Sequence, residues 1–127
     1  MARLRRAMEA SWDPLTAYQG IIRQNDPAYG QCYPTSRVVQ WFYPEAEIAV
    51  GNVWTGESLE RHFWNVFHAG AEAEWIDMSW QQFPDGSVVR DHQILERDSL
   101  GDSAGTLERC ALLLRRVEPH LAADHAP

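Results

Sequence analysis

The sequence predicts an α+β fold, with helices near both ends of the chain and a small antiparallel sheet between them. Apolar residues recur at helical spacing over residues 2–12, 33–43 and 105–118. Between the last two of these segments the chain is rich in aromatic and β-branched residues, which are typical of strands. A chain of 127 residues is long enough for one domain with a modest core. We therefore expect a single domain over residues 1–118 and a flexible tail over residues 119–127.

The first predicted helix places three apolar side chains, Leu4, Met8 and Trp12, along one face. It ends at Asp13-Pro14, because a proline disfavours helical backbone in the residue before it. Residues 14–31 contain several breakers of regular structure, so we expect an irregular segment there.

Three strand-like segments follow the second predicted helix and form the expected sheet. They run from Glu47 to Val53, from Arg61 to Phe67 and from Ala73 to Met78. The sequence His-Ala-Gly-Ala at 68–71 suits a hairpin turn between the last two, and a further extended segment is expected around Val88-Val89.

The last predicted helix, residues 105–118, carries a single apolar stripe. The stripe consists of Leu107, Cys110, Ala111, Leu114 and Val117. Because Cys110 lies within it, we expect that cysteine to be an inert core thiol.

Composition and charge argue against several functional classes. The net charge of −7 argues against a nucleic-acid partner. The one basic cluster consists of Arg3, Arg5 and Arg6, and we expect it to be a solvated helix face, with a binding patch as the alternative. No apolar run reaches the roughly 18 residues that cross a membrane, and no apolar segment follows the N-terminal arginines as it would in a secretory signal. The two cysteines fit a cytoplasmic protein with free thiols better than a secreted disulfide scaffold.

Cys32 is the strongest candidate for chemistry. Pro34 suits the first turn of a helix, and Gly30 permits a tight approach before it, so Cys32 is expected at the N-terminus of the helix over residues 33–43. The helix dipole and the unpaired N–H groups at that position favour a thiolate and lower the pKa of a thiol. A thiolate is a nucleophile, and two plausible partners, His62 and Asp77, follow along the chain.

The predicted hairpin brings those partners together. If its turn is centred on residues 69 and 70, His62 lies directly opposite Asp77 on one face of the sheet, with Cβ atoms roughly 4.5–5.5 Å apart. The carboxylate then fixes the tautomer of the imidazole, whose other nitrogen is free to deprotonate a thiol. Trp64 and Trp75, opposed on the same face, are expected to wall the site. A bulge in either strand would move Asp77 to the other face.

Each residue also has a purely structural interpretation. Cys32 can be an inert helix-start thiol, His62 a strand residue bonded to backbone, and Asp77 a turn residue. A zinc site made of the same three residues is a further alternative, although no CxxC or HxxxH spacing supports it. The oxyanion formed in a catalysed reaction would accept a hydrogen bond from the backbone N–H of Cys32 and a second one from the side-chain amide of Gln31 or Gln24.

Five short blocks of this sequence resemble the YunG family of small bacterial proteins. They are Gly30-Gln31-Cys32, Val38-Val39-Gln40, His62-Phe63-Trp64-Asn65, Trp75-Ile76-Asp77-Met78-Ser79 and Gln82-Phe83. The blocks are each short but fairly specific together, and the match spans about residues 8 to 84. The segments from 48 to 59 and from 85 to 102 are particular to this chain.

The resemblance implies a minimal papain-like or transglutaminase-like fold, in which a cysteine on a helix precedes a histidine and an aspartate on adjacent strands. It implies Cys32 as nucleophile, His62 as base and Asp77 as the residue that orients the base. Asn65, Ser79 and Gln82 match the pattern in structural or substrate-positioning roles.

Two functions follow as expectations. The first is a cysteine hydrolase or acyltransferase, acting without metal or organic cofactor on a small-molecule or side-chain amide or on a thioester. The second is a catalytically inactive protein that binds a ligand in an aromatic-lined cleft, since the chain holds six tryptophans. For those tryptophans, a place in the core is the alternative interpretation.

Overall fold

The computed structural model describes residues 1–21, 23–69, 72–97 and 100–123. Its elements are α1 (Ala2–Ser11), α2 (Cys32–Phe42), β1 (Glu47–Trp54), β2 (Leu59–Ala69), β3 (Glu72–Ile76), β4 (Val88–Ile94) and α3 (Ala104–Ala123). Short 3₁₀ turns lie at Tyr18–Gly20 and Trp80–Gln82. The α+β class is therefore confirmed, and each predicted helix and strand is present, with the largest changes of boundary in β4 and at the end of α3. The predicted turn residues Gly70 and Ala71 lie outside the described residues.

The four strands form one antiparallel sheet in the order β3-β2-β1-β4. Consecutive strands β1, β2 and β3 are neighbours, as short connections favour. β4 returns to the free side of β1, and its register shifts between Asn52 and Val53 of β1. The sequence indicated only a short extended segment at residues 88 and 89. Pairing with β1 extends it to seven residues, because β1 offers an unpaired edge along that length.

α2 packs on the face of the sheet that carries Phe63 and Asn65. The ring of Phe63 meets that of Tyr33 edge to face at 4.8 Å, and Asn65 Nδ2 donates to the carbonyl of Ser36 at 3.0 Å. Because side chains alternate along a strand, His62 projects from the opposite face of β2. The contact of Tyr33 with Phe63 places the first turn of α2 beside the strand that carries the candidate base.

The main core fills the space between the three helices and the sheet. Its largest fully buried members on the helices include Met8, Val39, Leu113 and Val117. The predicted N-terminal face is confirmed, since Leu4, Met8 and Trp12 are all buried.

The apolar stripe predicted for α3 is wrong in part. Leu107 is 50% exposed and Ala111 is exposed, whereas Leu113, which the stripe omitted, is fully buried. Residues three and four apart share a helix face, so the spacing allowed more than one stripe. Packing against α1 and α2 selects the one centred on Leu113 and Val117.

The C-terminal boundary also differs from the prediction. α3 continues through Pro119 to Ala123, five residues into the segment expected as a tail. Leu121 packs against the core, which gives these residues a reason to remain helical. Residues 124–127 lie outside the described part of the chain. None of the described helices is both long enough and apolar enough to cross a membrane.

Candidate active site

Cys32 is the first residue of α2, as the sequence predicts. Gly30 adopts a φ of +79°, and a Cβ there would lie 3.3 Å from the carbonyl oxygen of Ile21, so only glycine fits without strain. Pro34 occupies the third position of the helix, where a missing N–H leaves no hydrogen bond unmade. The half-buried Cys32 therefore lies at a helix start that its neighbours hold in place.

His62 and Asp77 form a close pair. His62 Nε2 lies 2.6 Å from Asp77 Oδ2, and the imidazole is completely buried. The other carboxylate oxygen, Oδ1, accepts from the backbone N–H of Ser79 at 3.2 Å, with the Ser79 hydroxyl at 3.5 Å. The carboxylate is therefore held on both oxygens, and it determines how the ring is oriented.

The strand register that predicted this pair is wrong by two residues. Trp75 lies opposite Val66 rather than Trp64, and β3 ends at Ile76, opposite Asn65. A shift of two residues retains the face on which each side chain lies, whereas a shift of one would reverse it. Asp77 therefore remains on the face of His62, just beyond the end of β3, and reaches the ring diagonally.

Aromatic rings enclose the imidazole of His62. Trp64 stacks on it at 5.8 Å, Phe83 meets it edge to face at 4.7 Å, and Trp80 lies at 6.0 Å. Trp75 contacts Trp64 at 5.0 Å but is 46% exposed. Of the two tryptophans predicted to wall the site, Trp64 touches the base directly and Trp75 packs behind it.

The electrostatics of His62 follow from these contacts. Burial lowers the pKa of the imidazole, but hydrogen bonding and charge interaction with Asp77 and Cys32 outweigh it and raise the pKa to about 9. Nδ1 is buried and has no well-formed hydrogen bond to any described residue. Because Nε2 is engaged by Asp77, Nδ1 is the nitrogen left to exchange a proton with the thiol.

The second cysteine has a different environment. Burial, followed by the negative charge of Asp102, raises the pKa of Cys110 to about 11. Its thiol is therefore protonated at neutral pH, which suits the inert role expected for it.

A cavity of about 520 Å³ opens beside Cys32, a volume typical of small-molecule sites. Its walls are largely aromatic, formed by Tyr18, Tyr29, Tyr33 and Phe63. Its polar groups come from Glu60, Arg61 and Gln82. The thiol thus faces a space that a small, largely apolar molecule can enter.

Gln31 does not have the surroundings of an oxyanion donor. Its amide is buried, with Nε2 donating to the carbonyl of Asp13 at 2.9 Å and Oε1 accepting from the Thr16 hydroxyl at 2.7 Å. These bonds tie the loop before α2 to the helix start. Gln24, the alternative donor, is exposed and is not part of the cavity lining described above.

The remaining motif residues divide by location. Asn65 is buried between α2 and the sheet, where it donates to the carbonyls of Ser36 and Glu47, so its contacts are structural. Gln82 lines the cavity and donates to the carbonyl of Ser79 at 3.0 Å. Of the predicted positioning residues with an amide side chain, Gln82 is the one that reaches the cavity.

The sequence analysis assigned no role to Gly51, which lies opposite His62 on β1. A Cβ at this position would collide with the carbonyl of Asp91 and would lie 2.7 Å from the ring of Trp64. The missing side chain therefore makes room for the ring that stacks on the base. A glycine inside a strand pattern is a signal of such a close approach.

The comparisons with known proteins give one match. The model of the family described as YunG protein matches residues 1–122. No curated protein and no solved structure is similar to this chain by these comparisons. Among the described residues there is also no group of three or more His, Cys, Asp or Glu side chains placed to hold a metal ion. A match over almost the whole chain shows that this protein belongs to the YunG family.

Proposed function

We propose that this protein is a cysteine-dependent acyl-transfer enzyme in which Cys32, His62 and Asp77 act in the manner of papain-like and transglutaminase-like enzymes. The observation that carries the proposal is the state of the His62 ring. Its Nε2 is held 2.6 Å from a carboxylate, its Nδ1 is buried and open, and the Cys32 thiol interacts with it. A histidine with a purely structural role in a strand does not require a carboxylate partner, an open buried nitrogen and a neighbouring thiol together.

The chemistry follows from that arrangement. With its pKa raised to about 9, His62 is an imidazolium at neutral pH. A cationic ring beside a thiol favours the thiolate, which is the nucleophile in activated cysteine sites. Asp77 stabilises the positive charge on the ring.

The thiolate attacks the carbonyl carbon of an amide, ester or thioester. A C–S bond forms, and the carbonyl electron pair moves to oxygen, which accepts hydrogen bonds from the N–H of Cys32 and the amide of Gln82. The tetrahedral intermediate then expels the leaving group, which takes the proton from His62. Water or an amine attacks the resulting thioester, gives up a proton to His62 and regenerates the thiol.

The cavity supports a small substrate. Its volume of about 520 Å³ suits a small-molecule amide or thioester, or one side chain of a larger partner, rather than an extended peptide.

The second candidate function is a binding protein without catalytic activity. The aromatic cavity favours it, because four rings beside one thiol would hold a flat apolar ligand whether or not the thiol reacts. In that case ligand affinity would be unaffected by Cys32→Ala.

The test is the rate of iodoacetamide alkylation of Cys32 as a function of pH, read from peptide masses, with Cys110 as the internal reference. A free thiol is only a few per cent thiolate at pH 7, so an ion pair with His62 is expected to speed alkylation about ten-fold after allowance for its lower nucleophilicity. His62→Ala should abolish that advantage. His68→Ala is the matched control, because His68 lies on the same strand with its side chain 54% exposed and, within the described part of the chain, forms an ion pair with Glu47 alone.

Incubation with a p-nitrophenyl ester follows, with the intact mass of the protein measured before turnover is complete. An acyl adduct on Cys32 in the wild type, absent from His62→Ala, supports the enzyme. Alkylation no faster than that of an ordinary thiol and equal in both histidine variants would overturn it in favour of the binding protein.

A further inference from the structure

A second cavity, of about 400 Å³, adjoins the one beside Cys32. The two share four lining residues, which are Tyr18, Tyr33, Arg61 and Phe63. The second cavity continues past these residues to Arg109 and the start of α3. Together they form a groove, which we call the acyl groove, that begins at the thiol of Cys32 and ends among charged side chains.

Two arginines in this groove have no carboxylate partner among the described residues. Arg61 lies with its guanidinium 5.6 Å from the ring centroid of Phe63, and Arg109 lies at the same distance from Tyr18. Arg109 also donates to the hydroxyl of Thr106, but its Nε is buried without a hydrogen-bond partner. Neither guanidinium takes part in any ion pair found in the described structure.

The two carboxylates of the groove lie near other arginines. Asp102 is bound by Arg37, whose Nη2 lies 3.0 Å away, and accepts from the hydroxyl of Tyr33. Glu60 lies 4.0 Å from Arg23, a guanidinium that also lies 3.9 Å from Asp26. Neither carboxylate is paired with Arg61 or Arg109, so these two guanidinium groups supply positive charge to the groove of a chain whose net charge is −7. Such a local reversal of sign is what attracts an anionic ligand.

The walls between the thiol and these charges are aromatic. Tyr33 and Phe63 meet edge to face at 4.8 Å, and the phenol of Tyr33 is anchored by Asp102. Rigid rings of this kind favour a flat or aromatic group lying against them.

We propose that the acyl donor of this enzyme is a flat, aromatic compound that carries an anionic group, a carboxylate or a phosphate, bound by Arg61 and Arg109. This inference rests on the proposed acyl-transfer function for its chemistry, while the anion preference belongs to the groove itself. The ring of the substrate lies against Tyr33 and Phe63, and its acyl carbon lies at the thiol of Cys32. The bond changes are those of the acyl transfer described above.

The test compares two matched reagents for Cys32 in the full chain. N-(4-carboxyphenyl)maleimide is anionic at pH 7, and N-(4-carbamoylphenyl)maleimide is its neutral isostere. The quantity measured is the ratio of their second-order rate constants at low ionic strength, read from the mass of the Cys32 peptide. In the wild type the anionic reagent should react about five times faster, which is the upper range for one exposed ion pair. Added salt should reduce that ratio.

Arg61→Gln and Arg109→Gln should each lower the ratio, and together they should bring it close to one. Arg90→Gln is the matched control. It removes the same charge from an exposed position on β4, where the guanidinium lies 5.7 Å from the ring of Trp54. A wild-type ratio of one or less would overturn the proposal, as would an equal fall in Arg90→Gln.

The ratio also separates this inference from the proposed function. Intrinsic reactivity of the thiol cancels in it, so His62→Ala should slow both reagents and leave the ratio unchanged. One outcome is that the anionic reagent reacts faster than the neutral one, while each reagent reacts at the same rate with wild type and with His62→Ala. That outcome would support the anion site and overturn the catalytic pair. A ratio of one with a strong effect of His62→Ala would support the catalytic pair and overturn the anion site.

Discussion

Replacement of Asp77 by asparagine removes the carboxylate that keeps His62 protonated in the folded protein. Burial lowers the pKa of His62, but its hydrogen bond to Asp77 and its interaction with Cys32 raise it overall, from 6.5 to about 9. Between these two values the folded state holds a proton that the unfolded chain has released. The stability this confers is fully present below pH 6.5 and is lost as the pH rises through about 9.

The raised pKa of His62 corresponds to about 3 kcal/mol of unfolding free energy at low pH. About 2 kcal/mol of this contribution is lost between pH 6.5 and 8.5. Two other groups require the scan to stop there. Burial and the charge of Asp102 raise the pKa of Cys110 to about 11, and burial and the hydrogen bond to Asp102 raise the pKa of Tyr33. Each raised pKa stabilises the folded state at pH values below the ordinary pKa of that group. This contribution is lost only as the pH rises above the ordinary pKa, so it does not affect a scan that ends at pH 8.5.

The assay is urea unfolding followed by tryptophan fluorescence at pH 6.5, 7.5 and 8.5, in a Cys32→Ser background, because a thiolate at Cys32 would give up the proton that His62 gains and would flatten the profile. The Cys32→Ser protein should lose about 1–2 kcal/mol across this range, and Asp77→Asn in the same background less than about half of that. Asp91→Asn in that background is the control, since Asp91 is exposed on β4 and its side chain accepts from Asn52, and it should follow the Cys32→Ser protein. If Asp77→Asn falls as steeply as the Cys32→Ser protein, the carboxylate does not hold the proton on His62. A flat profile in the Cys32→Ser protein would contradict the same reasoning.

Two further substitutions test the architecture of the site. Gly51→Ala should destabilise the protein by about 2 kcal/mol, because the added methyl group would meet a backbone carbonyl and the buried ring of Trp64. The measurement is thermal unfolding. Gly105→Ala in α3 is the control, and it should leave the melting temperature unchanged or raise it. An unchanged melting temperature for the first would show that the strands move apart easily. Gln31→Ala should cost about 1–3 kcal/mol by urea titration, because it removes two hydrogen bonds to the preceding loop and the packing of a buried side chain. Gln93→Ala on exposed β4 should change stability by less than about 0.5 kcal/mol. Loss of acyl transfer without loss of stability in Gln31→Ala would restore its predicted role as an oxyanion donor.

Local sequence determined the position of Cys32. The combination of Gly30 before it and Pro34 after it is compatible with few conformations other than a tight turn leading into a helix. These are constraints of neighbouring residues on one another, so they hold before any tertiary contact forms. The same applies to α1, whose apolar side chains at helical spacing define a single buried face.

The pairing of His62 with Asp77 was predicted from a register that the structure does not adopt. The prediction survived because a two-residue shift preserves the face of each side chain, and because a carboxylate beyond the strand end still reaches the ring. Turn position, which sets the register, depends on the packing of the whole hairpin and is poorly specified by residues 68–71 alone. Ser79 then holds the carboxylate through a local turn that an Asp-x-Ser sequence favours.

Other features depended on contacts that no local pattern contains. The choice of Leu113 over Leu107 as a buried residue is made by the helices against which α3 packs. The amide of Gln31 is occupied by a loop that lies fifteen and more residues earlier in the chain. The need for glycine at position 51 arises from a ring on the adjacent strand.

The sequence by itself determined the α+β class, the start of the helix that carries Cys32, and the presence of His62 and Asp77 on one face of adjacent segments. Each of these depends on spacing and on the conformational limits of single residues. Only the tertiary structure decided which nitrogen of His62 is held by the carboxylate, which rings enclose the base, and how Arg61 and Arg109 come to share a groove with the thiol. These features join residues that are far apart in the chain, and the free energy of their contacts exists only once the helices and the sheet have packed.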